Sequence, residues 1–154
     1  MTPTTKVVSQ PLTEIELHYK RPPMEKLVQI TNSDEANTYI RTYINPNRLD
    51  LKEFFWVMYL THNNQVLGCT EIASGKATSV CVNIREIFQI ALMTNATSII
   101  LVHNHTSGSL VISVDDREFT KKIQDIAVLF DISLLDHLII TSESYCSFND
   151  EEVL

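Results

Sequence analysis

Hydrophobic and polar positions along the chain fall into segments of different period. Around Glu14 to Tyr19 the apolar side chains alternate, with Ile15, Leu17 and Tyr19 on one side, which predicts a short strand. Pro22 and Pro23 interrupt it. Ser33-Asp34-Glu35 reads as a helix start, and that helix is expected to run to about Ile44, where Asn45-Pro46-Asn47 stops it. Phe54 to Leu60 reads FFWVMYL, a continuous apolar run of the kind buried on both faces of a sheet. Asn63-Asn64 predicts a turn, Val66 to Ala73 a second strand, and Ser74-Gly75-Lys76 a loop.

Asn83, with Glu86 three residues on, has the spacing of a capping box. Ile84, Ile87, Phe88, Ala91 and Leu92 then fall on one face of a helix. Ser98 to Val102 is a second fully apolar strand, and it runs into His103-Asn104-His105. Ser113 can cap a helix whose buried stripe is Phe119, Ile123, Ile126, Ala127 and Phe130, with Asp131 at its end. Leu134 to Thr141 and Tyr145 to Phe148 complete the pattern as strands. The order β-β-α-β-α-β-β predicts an α/β fold, a mixed sheet flanked by helices. Residues 1–50 read as an N-terminal extension, a short strand plus a helix with no recognisable module, and residues 51–154 as the domain that carries chemistry.

Composition narrows the classes. At 154 residues, the chain is long enough for one domain of ordinary size, and 44% hydrophobic residues suffice for a core. The net charge of −7 disfavours unaided nucleic-acid binding, which needs Lys and Arg to displace counterions. No apolar run approaches the roughly 18 residues of a membrane helix, so no membrane is expected as a partner. The N-terminus lacks the apolar core of a signal peptide. Cys69, Cys81 and Cys146, an odd number with no CxxC pair, predict free thiols, most simply small core residues in a reducing cytoplasm. With only Gly68, Gly75 and Gly108, Gly-rich phosphate loops are ruled out. No feature sets an oligomeric state.

The chemistry lies at the end of the second apolar strand. His103 and His105, two apart, project to the same face of a strand and can share one ion. Asp116 sits in the first turn of the next helix, three residues before Phe119 and seven before Ile123, on the inward stripe. A carboxylate there calls for something to neutralise it, and a metal ion would do so. Two imidazoles and one carboxylate, with water in the fourth position, form a catalytic zinc arrangement that makes hydroxide available at neutral pH. Glu53, at the entrance to FFWVMYL, is the candidate general base, with Glu71 and Glu86 as competitors. Ser113 can donate a hydrogen bond to an oxyanion, or serve only as an N-cap; the two roles are compatible.

The spacing His103-x-His105-x7-Ser113-x2-Asp116 resembles the JAMM metal-binding motif of JAB/MPN metallopeptidase domains. The longer string LVHNHTSG, then Ser113, Asp116 and Thr120, then LDHLIIT and YCSF, is similar to the RadC branch. The resemblance runs from Glu53 to the C-terminus. It implies a JAB/MPN sandwich of the cytidine-deaminase-like type and one zinc ion held by His103, His105 and Asp116. It also implies Glu53 activating the metal-bound water, and Ser113 supporting the tetrahedral intermediate. Active members cleave peptide or isopeptide bonds, so a peptide or protein substrate is expected. The RadC branch carries a DNA-repair label.

Three departures bear on this expectation. Thr106 stands where the family has a proline after the second His, and Ile112 where it has one before the serine. Both losses free φ in the loop, and neither removes a ligand. Residues 1–50 contain no glycine, so the helix-hairpin-helix of longer RadC proteins is not visible, which makes direct DNA binding doubtful. Three functions compete: a zinc-dependent hydrolase, a non-catalytic MPN-type interaction module, and a DNA-repair accessory protein. A zinc deaminase is set aside because H-x-E and P-C-x-x-C are missing. Glu71 defaults to a surface role, Lys121-Lys122 to a solvated helix face, and His137 to a satisfied core histidine bonded to Asp136 or backbone. Asn104 must face away from its two neighbours and is read as a structural hydrogen-bonder.

Overall fold

A computed structural model describes residue 16 and residues 18–75 and 81–154. Of the strand expected at Glu14 to Tyr19, Glu14, Ile15 and Leu17 lie outside the described residues; Glu16, His18 and Tyr19 carry no regular structure. Helix α1 spans Ser33–Tyr43. Its cap is Asn32, one residue before the expected Ser33: the Asn32 side chain accepts from the Glu35 amide at 2.9 Å. Glu35 in turn accepts from the amide of Thr31, the residue before the cap, at 2.7 Å.

The remaining elements are β1 (Phe54–Leu60), β2 (Val66–Ser74), α2 (Ile84–Met93), β3 (Ser98–Asn104), α3 (Val114–Val128), β4 (Ser133–Ile140) and β5 (Tyr145–Ser147). They form one five-stranded sheet in the order β2-β1-β3-β4-β5. Only β3 and β4 run parallel, joined through α3; the other pairs are antiparallel. The mixed sheet expected from the pattern is present. Helix α3 ends two residues before Phe130, because Asp131 takes a left-handed φ of 55° and the Ile132 amide turns back to the Ala127 carbonyl.

The central strands β1 and β3 are buried along their whole length, as the unbroken apolar runs predicted. Alternation sends their side chains into two separate cores. Phe55, Val57, Tyr59, Ile99 and Leu101 meet Ile87, Phe88 and Ala91 of α2 and Ile123 and Ala127 of α3. Phe54, Trp56, Met58, Leu60, Ile100 and Val102 meet Ala36 and Ile40 of α1, with Leu49, on the other face. Residues 30–49, grouped with the extension in the sequence reading, thus supply Ile30, Ala36, Ile40, Ile44 and Leu49 to this second core. Arg41 of α1 also donates to the Thr141 and Ser144 carbonyls at 3.0 Å, tying the helix to the β4–β5 turn.

Cys69 and Cys146 are only half-buried, and Cys81 is exposed, which corrects the expectation of three core thiols. Cys81 precedes the Asn83 cap of α2 at the protein surface. Among the described residues no helix is long and apolar enough to cross a membrane.

If α1 is integral to the fold, Ile40→Ala will lower the unfolding free energy by about 2–5 kcal/mol, as a fully buried residue does. Urea denaturation measures this. A loss below about 1 kcal/mol would mean that the sheet stands without the helix.

Candidate metal centre

The same alternation that builds the two cores sorts the residues of His103-Asn104-His105. Odd-numbered positions of β3 face α2 and α3, and even ones face α1. His103 therefore lies on the α3 side, stacked beside Phe55 with ring centroids 6.2 Å apart. The His105 amide donates to the Ile140 carbonyl at 3.1 Å, which extends the β3–β4 ladder one residue beyond the strand. The loop then turns through Gly108 at φ 76°, a left-handed value that glycine adopts without steric cost. This turn brings the Ser109 carbonyl to 2.9 Å from His105 Nδ1. A carbonyl only accepts, so His105 Nδ1 carries a proton and Nε2 is the nitrogen left for a ligand.

Helix α3 presents the carboxylate from its first turn. The Ser113 side chain accepts from the Asp116 amide at 3.0 Å, and Asp116 accepts from the Ser113 amide at 3.0 Å, a reciprocal capping box. The Ser113 hydroxyl also donates to Asp116 Oδ2 at 2.6 Å. Ser113 is thus both the helix cap and an anchor of the carboxylate.

His103 Nε2 lies 2.9 Å from His105 Nε2 and 3.2 Å from Asp116 Oδ1, and His105 Nε2 lies 3.7 Å from Asp116 Oδ2. One ligand atom from each residue falls within 4.8 Å of the others. Tetrahedral coordination at ~2.0–2.1 Å sets ligand atoms about 3.3 Å apart, which is the scale of these separations. Two imidazole nitrogens and a carboxylate oxygen converging at that spacing fit a divalent cation, and the cluster is compatible with a metal site.

Glu53 lines the same cleft, a cavity of about 530 Å³ walled by Phe55, Val82 and Phe119. Asn104 holds the backbone on both sides of Glu53. Its Oδ1 accepts from the Phe54 amide at 2.7 Å, and its Nδ2 donates to the Lys52 carbonyl at 2.9 Å and the Leu49 carbonyl at 2.7 Å. The residue between the two histidines therefore indexes Glu53 to them through the opposite face of the sheet. The other two acids lie elsewhere: Glu71 pairs with Arg48 at 3.3 Å, and the backbone of Glu86 is bound by the Asn83 cap. Lys121 pairs with Asp125 at 2.7 Å on the solvated face, whereas Lys122 lines the cleft.

His137 is the residue that sequence reasoning left out. It is a satisfied core histidine, but its ring bonds neither Asp136 nor backbone as expected: Nε2 is 2.7 Å from His103 Nδ1 and Nδ1 is 2.6 Å from Thr120 Oγ1, and only its amide donates to Asp136. The available signal was Asp136-His137 interrupting an apolar strand, since buried polar groups require partners. Asp136 finds its own in Ser147 Oγ at 2.6 Å and the Asn149 amide at 3.1 Å.

Burial dominates the electrostatics. It lowers the pKa of His103 against the opposing pull of Asp116, and it holds the fully buried His137 neutral. Burial pushes Asp116 upward, but hydrogen bonds from His103 and Ser113 outweigh it and keep the carboxyl well below its ordinary range. Glu53 is raised, first by burial and then by the Asp116 charge, while His105 pulls the other way.

A mixed five-stranded α/β sheet flanked by helices, with a cluster compatible with a metal site at the end of its central strand, is consistent with the JAB/MPN fold. The family model described as the RadC-like JAB domain matches residues 30–153. The chain belongs to this family. It is 39% identical over 128 residues to the UPF0758 protein of Flavobacterium johnsoniae, covering 83% of this chain and 55% of that protein. It is 33% identical over 138 residues to the UPF0758 protein of Chlorobium phaeovibrioides, covering 90% and 59%. A third, from Actinobacillus succinogenes, is 31% identical over 151 residues, covering 98% and 67%. The chain spans little more than half the length of the first two of these relatives.

The pKa shifts set a pH dependence for the metal-free protein. His103 and His137 resist protonation when folded but take protons near pH 6.5 when unfolded. Between those values the unfolded chain binds more protons, so stability falls as pH drops through about 6.5. Asp136 and Glu53, raised by burial, act in the opposite sense but nearer the carboxylate range. The urea midpoint is expected to fall between pH 7.5 and 5.5; a constant midpoint would contradict neutral buried histidines.

Proposed function

We propose that this chain holds one zinc ion through His103, His105 and Asp116 and hydrolyses a peptide or isopeptide amide. The observation that carries the proposal is the convergence of two histidine Nε2 atoms and the Asp116 carboxylate beside Glu53 in one cleft. Zinc is favoured over magnesium or calcium because imidazole ligands suit it and all-oxygen sites suit the harder ions. When bound, the ion supplies the Lewis acidity that makes water nucleophilic at neutral pH.

Glu53 takes the proton from the attacking water and returns it to the departing amine nitrogen as the C–N bond breaks. A carboxyl raised by partial burial is better matched to both transfers than a fully solvated one. Phe55 and Phe119, edge to face at 5.4 Å, keep one wall of the cleft apolar. Ser113 donates its hydroxyl to the developing oxyanion, a role that requires it to release Asp116.

The partner is a peptide or protein. Glu53, Asp115, Asp116 and Glu118 line the cleft against the single cation Lys122, a poor surface for a polyphosphate backbone. The DNA-repair label of the family therefore does not enter this reading as direct DNA binding. The unpaired thiols of Cys69, Cys81 and Cys146 suit a reducing compartment such as the cytoplasm.

Metal analysis of protein prepared without a histidine tag tests the first step. About one zinc per chain is expected, lost in His105→Ala. Glu53→Gln is expected to retain the metal and to lose about 10²–10⁴-fold in amide hydrolysis, read on a panel of peptide and isopeptide substrates. No zinc after reconstitution would leave the non-catalytic interaction module as the better reading.

A further inference from the structure

The ring of His137 stands between the candidate ligand His103 and the helix that carries another, Asp116. Four groups line up: His103 Nδ1 to His137 Nε2 at 2.7 Å, His137 Nδ1 to Thr120 Oγ1 at 2.6 Å, and Thr120 Oγ1 to the Asp116 carbonyl at 2.6 Å. The direction of this series follows from its last member. A backbone carbonyl can only accept, so the single Thr120 proton is donated to Asp116. Toward His137, Thr120 Oγ1 must then accept, which puts a proton on His137 Nδ1. A fully buried imidazole with no carboxylate in hydrogen-bond contact stays neutral, so His137 Nε2 holds a lone pair. That lone pair accepts from His103 Nδ1, which must carry the proton. His103 Nε2 is thereby left facing His105 and Asp116.

We propose that His137 and Thr120 are positioning residues that fix the tautomer and ring orientation of His103, so that Nε2 is always the atom offered to the metal. The inference rests on the metal reading above. It adds two residues outside the ligand cluster, one of which, His137, also lines the cleft. The geometry gives a reason for the polar pair in the apolar strand β4: Asp136 binds the end of β5 and the turn beyond it, and His137 faces the opposite core. It also couples the two ends of the site. The Thr120 hydroxyl that orients His103 is bonded to the carbonyl of Asp116, one turn earlier on α3, so ring and carboxylate are held to one hydrogen-bonded frame. His105 needs no such series, because the Ser109 carbonyl sets its tautomer directly.

Two measurements test this. Long-range proton–nitrogen NMR of metal-free protein at pH 8 reports the tautomer of each ring, with assignments from His103→Gln and His137→Gln. Protonated Nδ1 and bare Nε2 are expected for both His103 and His137. Zinc affinity is then measured by chelator competition, with folding checked by circular dichroism. His137→Phe and Thr120→Val are expected to weaken zinc binding about 10–100-fold, the usual effect of losing an outer partner of a ligand. His137→Gln, which keeps an acceptor near the Nε2 position, and Thr120→Ser, which keeps the hydroxyl, are expected to recover most of it. A protonated Nε2 on either ring, or unchanged affinity in Thr120→Val, would overturn the inference. If the wild-type chain binds no zinc at all, the hydrolase reading falls, and the NMR tautomers alone decide the direction of the series.

Discussion

The burial of β3 on both faces is the constraint from which the rest follows. A strand in the middle of a sheet must have every backbone group paired and every side chain packed. Its last residues are therefore held as rigidly as its first. His103 is fixed between Phe55 on one neighbouring strand and Ile139 on the other. Placing His103 there, instead of on a free loop, fixes one metal-type ligand within the sheet. Helix α3 then has only to bring one carboxylate to a site already built. Its capping box does this as part of starting the helix.

Polar groups in this molecule are handled by two different devices. On the α1 face, Asn104 satisfies three backbone groups around residues 49–54, which would otherwise be buried without partners. On the α3 face, imidazoles replace apolar side chains at the open end of the core, and their hydrogen bonds terminate on the carbonyls of Ser109 and Asp116. Each carbonyl acts as a fixed acceptor that sets a proton position at a distance. Burial opposes protonation of His103 and His137.

The relatives share this domain but extend beyond the region matched here, so what the domain acts on in a longer chain is a separate question from how its site is built. Thr106 and Ile112, which replace prolines of the family pattern, both lie between the two ligand-bearing elements. The loop they belong to still closes through Gly108 and the Ser109 carbonyl. The geometry of His105 thus depends on a backbone contact within the turn instead of on proline rigidity.

Local pattern was enough to determine β1, β3 and both central helices, because continuous apolar runs and 3.6-residue stripes have few other solutions. It also determined that His103, His105 and Asp116 share one side, since strand parity and helix phase are local properties. Half of the strand expected near Tyr19 lies outside the described residues, and Glu16, His18 and Tyr19 carry no regular structure. The packing of α1 into the second core and the reach of His137 to His103 were decided by tertiary structure alone. Each depends on which strand lies beside which. The parallel pairing of β3 with β4, which sets His137 beside the site, joins residues more than thirty positions apart and leaves no mark in the local period of either strand.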